Sequence, residues 1–277
     1  MSVRRDLIFD VGMYTGEDTS YYLSLGFRVV GIDADPSMIE NARKRFHTEI
    51  ERGQLTLRNL AISDKDNEDV IFYVSERPVF SSLKQSLAER GKWRSEGIKI
   101  QTRTLPSLIN EFGCPHYCKI DIEGYEIVCL ETMYCLDQFP PFISVQSECF
   151  DNVGTEERAL ATLQELHRLG YKKFKLVDQA TLTVLKPGTR FYKDQSGAFP
   201  ILSGIKAKLS RGKKGSILSR LIYRFPRGSS GAFGEDLESE WLEYETAKET
   251  YLFHRRDFLK TIPVNMGFWC DWHASLL

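Results

Sequence analysis

An apolar run, Leu7-Ile8-Phe9, ends in Asp10-Val11-Gly12-Met13-Tyr14-Thr15-Gly16, and a helical stretch follows. A second apolar run, Val29-Val30-Gly31-Ile32, then ends in Asp33. Strand, glycine turn, helix, strand and acid, in that order, is the layout of a site for a ribose-bearing cofactor in a parallel α/β sheet. The glycines allow a sharp turn and a close approach of backbone to ligand. The helix starting after Gly16 offers unpaired N–H groups to an anion. An acid at the tip of the second strand accepts hydrogen bonds from ribose hydroxyls. A chain built this way reads as an enzyme.

The spacing narrows the cofactor. A dinucleotide fingerprint is G-x-G-x-x-G, whereas here three residues separate Gly12 from Gly16 and Tyr14 holds the middle glycine position. A pyrophosphate needs bare backbone there. The pattern D-x-G-x-x-x-G suits S-adenosylmethionine (SAM) better, with Asp10 toward its ammonium and the N–H groups after Gly16 toward its carboxylate. Two other readings stay open: an NAD(P)-dependent oxidoreductase, and a non-catalytic SAM- or glycan-binding module. An ordinary tight turn without a ligand is the plainer alternative.

At 277 residues the chain is one large domain or a domain with an extension. A net charge of −1 provides no global field for nucleic acid. No apolar run is long enough to span a bilayer, and Asp10 interrupts any signal-peptide core, so the expected location is cytoplasmic. Cys118, Cys129 and Cys149 sit in apolar segments, where cysteine behaves as a small hydrophobe. Cys114-Pro-His116-Tyr-Cys118 has metal-ligand residue types but lacks the second distant pair of a zinc site.

Apolar strands alternate with helical patterns over residues 1–185. They are expected at 6–11, 27–33, 55–62, 70–74, 98–102, 117–122 and 142–147, with a hairpin at 172–178 and 181–185. Asp35-Pro36 reads as a helix cap and first helical residue, leaving Asp33 as the ligand acid. Residues 203–227 then carry eight Lys or Arg and no acid, and residues 235–249 carry seven acids against one Lys. The charge inversion suggests an extension over 186–277, a basic loop and an acidic helix, whose two halves could pair with each other. The basic stretch could instead be a lid over an acidic acceptor or a membrane surface, or the whole simply a solvated loop and helix.

Two strings go further. Asp10-Val-Gly-Met-Tyr-Thr-Gly-Glu-Asp-Thr19 and Lys119-Ile-Asp-Ile-Glu-Gly-Tyr-Glu126, with Val29–Pro36, Asn59–Asp64, Ile143–Glu148 and Leu169-Gly-Tyr171, resemble the FkbM family of SAM-dependent methyltransferases. The resemblance covers about residues 7–180. It implies a class I methyltransferase, Rossmann-like α/β fold with a seven-stranded, mostly parallel sheet, to which 186–277 would add an α-rich appendage. It also implies O-methylation of a hydroxyl on a sugar, glycan or other small acceptor. The implied cofactor set is Asp10, Gly12, Tyr14, Gly16, Asp18, Asp33, Ala61 and Asp121. Tyr14 departs from the polar residue expected at its position.

Asp121 and Glu123 are the expected catalytic pair. Strand alternation would send both to one side of the sheet's carboxyl edge, where each would raise the other's pKa toward that of a useful base. The same pair could instead hold a divalent cation, or Glu123 could cap the next helix or pair with Lys119. His116 and His273 are the alternative bases. Trp269-Cys-Asp-Trp272-His273 could stack on a sugar ring, although core packing is the commoner role of such rings.

Overall fold

The computed structural model describes residues 2–147, 160–192, 223–226, 228–261 and 267–277. The chain forms two compact units, Met1–Ile143 and Ser144–Leu277. This division falls well before the expected boundary at residue 185.

The first unit is built on parallel strands. β1 (Val3–Val11) lies between β2 (Arg28–Asp33) and β7 (Cys114–Ile120), and β3 (Leu55–Asn59) flanks β2. Short apolar runs buried on both faces are the signature of such strands, and β1 is buried without a break from Leu7 to Val11. The registers align the strand ends: Asp10 pairs with Gly31 on one side and with Lys119 on the other. The acids near the ends of these strands therefore gather at the carboxyl edge.

Helices α1 (Glu17–Ser24), α2 (Pro36–Arg45) and α3 (His47–Glu51) follow the first two strands. The Asp35 cap forms as the sequence indicates: its carboxylate accepts from the Ser37 N–H at 2.8 Å and from the Ser37 hydroxyl at 2.6 Å, with Pro36 at the first helical position. Asp35→Ala is expected to cost about 1 kcal/mol of stability, measurable as a lower denaturant midpoint at unchanged slope.

The expected strand 55–62 is two strands. The Leu60 N–H turns to the Asp33 carbonyl at 3.1 Å, which ends β3. β4 (Ala61–Ile62) then joins β5 (Asp69–Ser75) and β6 (Ser95–Arg103) in a separate three-stranded sheet, with β6 central and antiparallel to β5. Helix α4 (Gln85–Ala88) lies in the β5–β6 connection, α5 (Leu105–Phe112) precedes β7, and α6 (Glu126–Thr132) follows it.

β8 (Phe142–Gln146) begins at the end of the first unit and continues into the second, where β9 (Lys173–Asp178), β10 (Thr183–Leu185) and β11 (Cys270–Ser275) follow in the order β10-β9-β11-β8, with α7 (Ala161–Arg168) and α8 (Tyr244–Thr261). Among the described residues eight strands are found outside the three-stranded sheet, against the seven expected. The strand that sequence reading missed is β11, antiparallel to β9 with Trp272 opposite Leu176. The region expected as an α-rich appendage supplies it. Its run Cys-Asp-Trp-His-Ala-Ser alternates like a half-solvated strand, yet every residue is buried. Trp272 packs in the core, stacked on Tyr251 at 5.5 Å between ring centroids, whereas Trp269 is exposed.

Among the described residues no helix is long and apolar enough to cross a membrane. The basic stretch 203–227, apart from Tyr223–Pro226, lies outside the described residues, and so does any pairing of it with the acidic stretch.

Candidate active site

The glycine turn is tied to the end of β2. The Gly12 and Met13 N–H groups both donate to the Ile32 carbonyl, at 2.9 and 3.0 Å. Gly12 and Gly16 have φ of +79°, a region L side chains rarely adopt. Sequence reading assigns their bareness to a sharp turn and a close-lying ligand; the structure adds protein atoms that crowd both positions. A Cβ on Gly12 would stand 1.8 Å from the Asp121 backbone oxygen, and one on Gly16 would stand 2.6 Å from the Phe46 ring. Tyr14 takes a φ of +50° without being glycine.

Around this turn the sequence-derived residues separate into groups. In the first, Asp33 at the tip of β2 accepts from two backbone N–H groups: Tyr14 on Oδ2 at 2.8 Å and Asp35 on Oδ1 at 2.9 Å. Each oxygen keeps a lone pair. Burial pushes the Asp33 carboxyl up to about 7, against the pull of the two N–H bonds. Tyr14 enters the site through its backbone, and burial, then the neighbouring Glu17, pushes its hydroxyl pKa up.

The second group was not foreseen. Lys119 Nζ lies 3.6 Å from Asp10, 3.7 Å from Asp18 and 3.7 Å from Asp121, and donates to the Gly12 carbonyl at 3.3 Å. Asp10 is fully buried; its Oδ2 accepts from the Thr19 hydroxyl at 2.6 Å, while its Oδ1 accepts no hydrogen bond among the described residues and faces the Lys119 ammonium at 3.6 Å. Asp18 and the Lys119 side chain are 5% exposed, whereas Asp121 is 21% exposed. Burial raises the pKa of Asp121; Lys119 opposes the rise and Asp10 adds to it. A lysine in the buried run Tyr117-Cys118-Lys119-Ile120 must find partners there, and that was the readable signal.

Glu123 belongs to a third group. β7 ends at Ile120, so the alternation that would place Asp121 and Glu123 together stops before either of them. Glu123 has φ +53° and its carboxylate bonds Arg90 at 2.5 Å. Asp121 instead pairs with Lys119, and the acid that raises its pKa is Asp10. The turn is held from several sides. The Ser82 hydroxyl donates to the Glu123 carbonyl at 2.7 Å, and Lys84 Nζ donates to the Gly124 carbonyl at 2.5 Å. Arg90 also lies over the Phe80 ring at 3.8 Å. The fully buried Glu126 accepts from the Ile122 and Gly124 N–H groups at 2.9 and 2.8 Å, the capping role that sequence reading offered to Glu123.

Ala61 is buried in β4, paired with Thr102. His116 packs its ring on Phe27 and Phe142, and burial lowers its pKa. It stands five residues before Asp121, roughly 16 Å along the chain at strand rise. His273 is fully buried in the second unit and pushed down to about 3 by burial and by Lys175. Cys114 and Cys118 are buried thiols, and burial pushes Cys114 up to about 11. Among the described residues no group of three or more His, Cys, Asp or Glu side chains is arranged to hold a metal ion. The space between Asp10, Asp18 and Asp121 is taken by an ammonium.

Residues 10–173 match the profile of the Methyltransferase FkbM domain. The chain belongs to this family. This FkbM domain has distant likenesses among solved structures. Methyltransferase FkbM from Methylobacillus flagellatus KT is 15% identical, with 62% of this chain and 40% of that one covered and a TM-score of 0.41. This chain thus spans well under half of that protein's length. The C-terminal domain of precorrin-6Y C5,15-methyltransferase from Rhodobacter capsulatus is 16% identical, covering 64% and 70%, with a TM-score of 0.36. Phosphoethanolamine N-methyltransferase 2 from Haemonchus contortus, solved with S-adenosyl-L-methionine, is 10% identical, covering 99% and 49%, with a TM-score of 0.39. No curated protein matches the sequence.

Proposed function

We propose that this FkbM domain transfers a methyl group from SAM to a hydroxyl of a sugar, glycan or other small acceptor. The observation that carries the reading is the pairing of Asp33, fixed by two backbone N–H groups with a lone pair free on each oxygen, with Asp121, the exposed corner of a buried acidic cluster. The first suits a ribose diol, and the second suits a cationic centre and a proton to be removed.

Bound SAM would supply a methyl group on a sulfonium whose departure leaves a neutral thioether. The protein supplies alignment, which can be worth roughly 7–11 kcal/mol, and a base for the acceptor hydroxyl, worth about 10²–10⁴-fold. Asp33 accepts the ribose hydroxyls and sets the cofactor's register along β2. Asp121 takes the acceptor proton, its basicity raised by burial and by Asp10. Glu123 orients the turn through Arg90 instead of acting as a second base.

The experiment that tests the cofactor is a thermal shift against SAM, S-adenosylhomocysteine, NAD and NADP. Either SAM compound at 100 times its Kd adds roughly 2.7 kcal/mol of stability. A shift with NAD or NADP and none with the SAM compounds would overturn the reading. Glu123→Gln keeps the side chain's size but weakens the bond to Arg90. It is expected to lower turnover by about tenfold or less, well short of the factors assigned to a direct base. Steady-state kinetics on a verified acceptor checks this.

A further inference from the structure

Lys119 touches three of the four acids in the cofactor-site assignment. It does so from a buried position in the strand opposite Asp10 and bonds the glycine-turn backbone as well. We propose that Lys119 is a positioning residue for the cofactor: its ammonium binds Asp10, Asp18 and Asp121 into one cluster, sealed except at Asp121, and so fixes the carboxylate that faces the cationic part of SAM. The inference rests on the SAM reading above and adds the device that makes Asp121 a fixed anion.

The physical case is one of number and burial. Three carboxylates share one ammonium within 3.7 Å, and an unpaired buried charge is not tolerated at neutral pH. Without the ammonium, the cluster relieves its repulsion by taking up a proton or by turning Asp121 outward. Either response changes affinity for a cation more than affinity for a neutral molecule of the same shape. SAM and S-adenosylhomocysteine form such a pair, differing by the methyl group and the positive charge it confers on sulfur.

Calorimetry of both ligands from pH 5.5 to 8.5, on the full chain, is therefore the test. In Lys119→Met the ratio of SAM to S-adenosylhomocysteine affinity is expected to fall about tenfold at pH 7, and the ratio should acquire a pH dependence that wild type lacks. Lys119→Arg keeps the charge and should restore the ratio to within about threefold. A folded Lys119→Met with wild-type ratio and pH profile overturns the proposal. Asp18→Asn covers the case in which Lys119→Met does not fold. It removes one negative charge from the cluster that the ammonium binds together, so the ratio of SAM to S-adenosylhomocysteine affinity at pH 7 should fall at least about threefold; an unmoved ratio overturns the proposal. If wild type binds neither ligand, the cofactor reading fails first and the proposal fails with it, an outcome distinct from failure of the variants alone.

Discussion

Asp121→Asn is expected to lower turnover at least about a hundredfold on a verified hydroxyl acceptor, with S-adenosylhomocysteine affinity nearly unchanged. The amide is the same size and can still accept a hydrogen bond, but it cannot take a proton. The loss should therefore fall on kcat and kcat/KM together, as for an interaction realised in the transition state. The acid limb of the rate profile should disappear in the variant, because the group that titrates there in wild type is the carboxyl that burial and Asp10 hold above the ordinary range. Assays need a panel of glycans and hydroxylated small molecules first. Wild-type turnover in Asp121→Asn would remove Asp121 as the base. Neither histidine is then an easy substitute: His116 packs among aromatic rings at the far end of β7, and His273 is sealed.

The second large effect is expected at Asp33. Asp33→Ala should weaken SAM binding roughly ten- to a hundredfold, the range of one or two charge-assisted hydrogen bonds at about 1.5–3 kcal/mol each. Its pH behaviour adds a sharper test. The folded carboxyl titrates near 7 and an unfolded one near 3.8. Between these values the unfolded chain has released a proton that the folded chain retains. Stability without ligand should therefore fall as pH rises from about 4 to 7 and level off above. Ligand binding has the opposite slope, because the ionised carboxylate is the form that accepts ribose hydroxyls. Wild-type affinity should be flat above pH 8 and decline toward tenfold per unit below 7. Asp33→Asn should abolish both slopes. A variant that retained the wild-type slopes would show that another group controls them.

Much of this site can be read from the chain because its first half obeys short-range rules. Asp35-Pro36 caps a helix through local geometry alone, and the runs ending at Asp10 and Asp33 are apolar enough to be buried parallel strands. Reading failed where one residue answers another distant in sequence. Ser82, Lys84 and Arg90 hold the 121–126 turn from a connection some forty residues earlier, and no periodicity reports such a contact. Strand alternation was extended past Ile120 to Glu123, although a strand ends where its ladder ends, here after the Asp121 N–H bonds the Val11 carbonyl at 2.9 Å. The strand β11 was missed because Asp271, His273 and Ser275 look solvent-facing, while the fold buries all three. Family resemblance stood in for physics at Ala61, whose burial in β4 gives it no visible side-chain task.

The missing side chain of Gly12 has a mechanical effect. The Asp121 carbonyl occupies the volume where a Cβ would be, and the Asp121 N–H is bonded to the residue before Gly12. The glycine turn and the segment that carries Asp121 are therefore keyed together backbone to backbone. On the proposed function, a base keyed in this way would already be in place when the cofactor arrives. The spacing between Asp33 and Asp121 would then be set before any ligand binds, and the acceptor would have to come to it.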